Sequence, residues 1–196
     1  MKLHFAGKYN GDESTLPQRE HPENYVPFKE FKSMKTFAVI MNIIAIVLTL
    51  LLFSLVYAVA NNSARAEGVR TTDPEFFWGI IFSLVTLIPH EFLHAICFKK
   101  DVYMYNNLSQ GMLFVIGSED MSKTHFIMMS LCPNIVFGFI PLIIFLIFPN
   151  MIFFGALGAL AIGSGSGDYY NIFNALTQVP KGAKIYMSGI HTYWYK

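Results

Sequence analysis

The stretch Phe76-Phe77-Trp78-Gly79-Ile80-Ile81-Phe82-Ser83-Leu84-Val85-Thr86-Leu87-Ile88-Pro89-His90-Glu91-Phe92-Leu93-His94-Ala95-Ile96-Cys97-Phe98 is apolar almost throughout, yet its second half carries two histidines and a glutamate. As a helix rising about 1.5 Å per residue, it is long enough to cross a hydrocarbon core of about 30 Å. Ionisable side chains inside such a span are costly, by about 2.5–3.5 kcal/mol for an acid on insertion scales, so they face a protein interior and serve a purpose. Pro89 cannot donate to the Val85 carbonyl, so the helix should kink or open just before His90.

Outward from this stretch, the chain repeats the pattern. Residues 37–60 carry no charge, and 126–148 and 151–176 are two more apolar runs parted by Pro149-Asn150. The expected fold is therefore an all-α integral membrane protein of about four spans, at 37–60, 76–98, 126–148 and 151–176. A polar segment, 1–36, precedes them and a tail, 177–196, follows. Composition agrees: 54% of residues are hydrophobic and 14% charged, against roughly 25% charged in a soluble domain. A net charge of +1 gives no reason to expect a nucleic-acid partner. The two cysteines, Cys97 and Cys132, sit in apolar stretches and make no disulfide framework.

The basic residues set the orientation. With a cytoplasmic N-terminus, Lys2, Lys8, Arg19, Lys29, Lys32 and Lys35 lie inside, with Lys99, Lys100, Lys123, Lys181, Lys184 and Lys196; Arg65 and Arg70 alone lie in the outer loop. Both termini are expected in the cytoplasm of a multi-pass protein of the cell membrane. Between the second and third spans, Val102-Tyr103-Met104-Tyr105 and Met112-Leu113-Phe114-Val115-Ile116 flank Asn106-Asn107-Leu108-Ser109-Gln110-Gly111. That pattern predicts a small β-hairpin on the cytoplasmic side, apolar enough to lie against the bilayer.

Within the spans, the ionisable side chains other than Cys and Tyr are His90, Glu91, His94 and Asp168. His90-Glu91-Phe92-Leu93-His94 is an H-E-x-x-H motif, whose i, i+4 spacing stacks two imidazoles on one helix face within reach of one ion. Glu91 stands beside them as the base for a zinc-bound water. A catalytic zinc takes a third protein ligand, and Asp168 is the candidate. Counted from the inner ends of their spans, His94 lies about four residues or roughly 6 Å deep and Asp168 about eight residues or roughly 12 Å, with His90 at a depth similar to that of Asp168, so the three can share one level. Asp168 could also be a buried acid bonded to Asn171 or Tyr170. Cys97 and His125 are weaker ligand candidates. Asn134, in the Cys132-Pro133-Asn134 break of the third span, could hold a substrate carbonyl or a neighbouring helix. Gly155, Ala159, Gly163 and Gly167 form a ridge of small residues expected to seat Asp168 near the second span.

Together these residues resemble the intramembrane zinc metalloproteases of the site-2 protease type. More closely, the chain is similar to a bacterial family of small four-span membrane proteins described as putative zincin peptidases. There an H-E-x-x-H helix is followed by a glycine-aspartate-x-x-asparagine element, here Gly167-Asp168-Tyr169-Tyr170-Asn171, and by a segment matching Pro180-Lys181-Gly182. The resemblance covers about 76–196. It implies His90, His94 and Asp168 as zinc ligands, Glu91 as catalytic base, and a hairpin that holds an extended substrate; Asn134 and Asn171 are candidate substrate-binding residues. It departs from the site-2 pattern in that Asp168 is followed by Tyr169 rather than glycine. The implied activity is zinc-dependent hydrolysis of a peptide bond in or beside a membrane segment of a protein or peptide substrate. Two other readings stay open on the residues: an inactive zinc-containing scaffold, against which the intact Glu91 argues, and a metal transporter or sensor, which would need a second ligand cluster.

Overall fold

The computed structural model describes residues 2–67 and 73–196; of the expected outer loop, 68–72 with Arg70 lie outside the described residues. The chain divides into two compact units, one of Ile40–His90 and Pro133–Gly167, the other of Met1–Val39, Glu91–Cys132 and Asp168–Lys196.

The first unit is helical. Its longest element, α1 (Met34–Glu67), starts at Ser33, whose hydroxyl accepts the Thr36 amide at 3.4 Å and so caps an otherwise open N–H. Along α1 the large apolar side chains of Ile43, Ile46, Leu50 and Leu51 are exposed, as suits a helix meeting lipid. Next come α2 (Asp73–Val85) and α3 (Leu87–Ile96), bent by 41° relative to one another at Thr86. The bend falls where Pro89 withholds its bond from Val85, as the sequence predicts. After α4 (Lys123–Asn134), Pro133 is followed by one π-helical stretch, Ile135–Phe139, and then by α5 (Ile140–Ile147).

Among the described residues two helices, Met34–Ser63 and Lys123–Ile147, are long and apolar enough to cross a membrane, and the bent pair α2–α3 makes a third if it counts as one span. This suggests association with a membrane. The expected fourth span is not a single helix. It is split into α6 (Ile152–Ser164) and α7 (Ser166–Gln178) at Gly165. The run Gly163-Ser164-Gly165-Ser166-Gly167 has low helix propensity, which explains the interruption.

Small residues let α6 pack closely, but not as the ridge suggested. A Cβ on Gly163 would overlap Thr49 Oγ1 and sit 2.8 Å from the Ala45 carbonyl of α1, and one on Gly155 would sit 2.8 Å from the Phe145 ring of α5. At these two positions the ridge faces α1 and α5. Contact with α2 comes instead through Gly79, where a Cβ would sit 2.7 Å from that of Ala156.

The second unit contains the β-structure, which is larger than the one hairpin expected of an all-α protein. The hairpin is present: β3 (Val102–Asn107) and β4 (Met112–Ile116) pair antiparallel, with Tyr103 opposite Ile116 and Tyr105 opposite Phe114. Gly111 turns the chain at φ 65° before β4. To β3 is added β1 (Leu3–Lys8), parallel, so the sheet runs β1-β3-β4. A second, antiparallel sheet has the order β2-β7-β6-β5, built from β2 (Val26–Pro27), β5 (Met121–Ser122), β6 (Lys184–Ser188) and β7 (His191–Tyr195). Phe28, Phe98, Met104, Phe126, Ala175 and Ile185 meet in one buried core that ties α3, α4 and α7 to both sheets.

Polar contacts fix the turns of this unit. The buried Glu119 carboxylate accepts the amides of Lys99 and Lys100 at 2.8 and 2.7 Å, closing the loop after α3. Lys123 Nζ donates to the Leu176 and Val179 carbonyls at the end of α7, where a cation favours the helix dipole. His191 lies between two carboxylates, with Nδ1 3.4 Å from Glu30 and Nε2 3.5 Å from Glu13. Its hydrogen bond to Glu30 raises its pKa above the ordinary value of 6.5, Glu13 adding to this against partial desolvation. A raised pKa means that protonated His191 stabilises the fold fully below pH 6.5 and loses that contribution as pH rises through the higher, folded value. The group is partly exposed, so the effect should be less than about 1 kcal/mol. In thermal unfolding, wild type should exceed His191→Gln at pH 5.5 and the difference should vanish by pH 9; a constant difference would count against the pairing.

Candidate metal centre

The centre is built on α3. Its backbone bond from His90 N to Thr86 O, at 2.8 Å, restarts the helix directly after the bend, and one turn on His94 follows on the same face. The ligand atoms of His90, Glu91 and His94 lie within 4.8 Å of one another, and all three side chains are buried. From α7, Asp168 brings Oδ1 to 3.1 Å from His94 Nε2. Two ligand atoms each about 2.0–2.1 Å from a tetrahedral ion stand about 3.3 Å apart, so this separation suits a shared metal.

The surroundings orient these groups. His94 Nδ1 is 2.9 Å from the Met129 carbonyl of α4. A carbonyl only accepts, so Nδ1 carries a proton toward it, the arrangement that second-shell partners give metal-bound histidines, and Nε2 faces Asp168. The Glu91 carboxylate accepts a hydrogen bond from the backbone N–H of Val115. Val115 lies on β4, an edge strand of its sheet, so this N–H belongs to the open edge.

The structure thus groups His90, Glu91 and His94 and sets Asp168 against His94. Asn171 stands half-buried one turn beyond Asp168. Asn134 is buried, with its amide packed where a Cβ of residue 165 would lie; a Cβ there would overlap Oδ1 and sit 2.7 Å from Cγ. Cys97 Sγ bonds to the Leu93 carbonyl of its own helix at 3.4 Å, and Tyr170 is engaged by the rings of Phe31 and Phe37 at 5.4 and 5.6 Å. Sequence reading missed Val115 and Met129, which act through their backbones. Met129 had a signal, since it lies four residues before Pro133 in a helix.

Apolar helices of membrane length and a buried His-Glu-His cluster on the second member of the bent pair α2–α3 define the class, a zincin-like protein suited to zinc. Residues 83–184, just over half of the chain, match the family described as "Putative zincin peptidase", and the chain belongs to that family. No curated protein and no solved structure matches it.

Proposed function

We propose that this protein is an intramembrane zinc metallopeptidase of the site-2 type, cleaving a peptide bond in or next to a membrane segment of a protein or peptide substrate. The observation that carries this is the buried His90-Glu91-His94 cluster on an apolar helix, with the Asp168 carboxylate against His94. Two imidazoles and a carboxylate are the donor set of hydrolytic zinc. When bound by His90, His94 and Asp168, zinc would supply a Lewis acid that polarises the scissile carbonyl and acidifies a water.

The chain's own groups supply the rest. Glu91 takes one proton from the attacking water as its oxygen joins the carbonyl carbon. It then gives that proton to the amine as the C–N bond breaks. A helical substrate hides its carbonyls, and strand addition to an open edge exposes them. With β1 covering the β3 side of the sheet, β4 offers that edge, and its Val115 N–H reaches Glu91. Asn171, one turn beyond Asp168, would bond to such a substrate. The basic residues favour cytoplasmic termini in the cell membrane, with α6 and α7 together as a broken fourth span.

The test is metal analysis and proteolysis on protein purified in detergent. About one zinc per chain is expected in wild type and none in His94→Ala. A chelator should stop cleavage of solubilised single-span peptides, and zinc should restore it. Cleavage that persists after the metal is stripped would falsify the proposal.

A further inference from the structure

In a regular α-helix the Met129 carbonyl would accept the amide of residue 133. That residue is Pro133, which has no N–H, and it is fully buried inside α4. The carbonyl is nevertheless satisfied, by His94 Nδ1 at 2.9 Å from the neighbouring helix. Met129 and His94 are both buried, so water does not compete for either group. A proline ring also crowds the carbonyl four residues back and tilts it away from the helix axis. The π-helical stretch Ile135–Phe139 that follows is a local accommodation of this kind.

We propose that Pro133 is a positioning residue for the metal centre: it withholds the amide that would compete for the Met129 carbonyl and turns that carbonyl toward His94. The consequence is a fixed ring orientation. With Nδ1–H committed to Met129, Nε2 faces Asp168 Oδ1, 3.1 Å away. The proline is costly to α4, since its interior place removes a helical bond. Its return lies in the histidine, and the proposal rests on the reading of His94 as a metal ligand.

That trade makes the test directional. In Pro133→Ala the restored amide should strengthen α4 and draw the Met129 carbonyl back. The chelator-treated variant should therefore melt at or above the wild-type temperature while its zinc affinity falls by about 10- to 100-fold, the range for loss of an outer partner. A proline that merely bends the helix would move both in the same direction or leave affinity alone, and either result overturns the proposal. His94→Ala is measured alongside: if it binds zinc as tightly as wild type, the metal reading itself fails, whatever Pro133→Ala does. A second measurement needs no folded variant. The imidazole 15N shifts of His94 in metal-free wild type should show a protonated Nδ1 hydrogen-bonded to a carbonyl, and an unprotonated Nδ1 would overturn the assignment.

Discussion

Glu91→Gln should keep its zinc and lose about 10²- to 10⁴-fold in cleavage rate, the usual contribution of a positioned general base. The substitution is nearly isosteric. Its amide oxygen can still accept the Val115 N–H that the carboxylate accepts now, so the packing of α3 against β4 should survive. What is removed is the capacity to carry a proton from water to the leaving amine. The same variant separates two roles for the residue, because the Glu91 carboxylate lies within 4.8 Å of the ligand atoms of both histidines. Retained zinc with lost activity marks a base, and zinc lost together with activity marks a ligand. Unchanged proteolysis would sink the peptidase mechanism altogether.

Asp168→Ala should lower zinc affinity by more than the about 10- to 100-fold that an outer-shell partner costs, because a ligand atom itself is removed. The geometric ground is the 3.1 Å approach of Oδ1 to His94 Nε2. The alternative is a buried acid bonded to Asn171 or Tyr170, which would not place a carboxylate oxygen on the ion. Cobalt-loaded protein gives the clearest reading, since losing a carboxylate oxygen changes the visible absorption of the ion. An unchanged spectrum and affinity would leave Asp168 as a hydrogen-bonding partner of His94 only.

Much of this was legible in the residues because it is local. His90 and His94 meet through helical spacing alone, Pro89 bends the chain where its missing N–H requires, and Gly111 turns a hairpin between two apolar strands. The count of spans was harder. Residues 151–176 are apolar enough to look continuous, and the glycines at 163, 165 and 167 weaken the helix without fixing where it parts. Beyond the hairpin, the strands were missed for another reason. β1 finds its partner in β3 and β2 in β7, each far along the chain, and no periodicity within 1–36 or 177–196 specifies such pairing. The aromatic run His191-Thr192-Tyr193-Trp194-Tyr195 was the available signal for β7, and it reads equally as an amphipathic tail.

The composition of the second unit from three separated stretches has a consequence for biosynthesis. Its first strand emerges early, but β1 must wait for β3, about a hundred residues later, before its backbone groups are paired. Asp168 and the strands that close the second sheet are made later still. A chain arrested on the ribosome before residue 168 would already hold the His-Glu-His helix without its acid partner. Premature assembly of the metal centre is thereby disfavoured by the order of translation itself, and maturation depends on slow, non-local pairing.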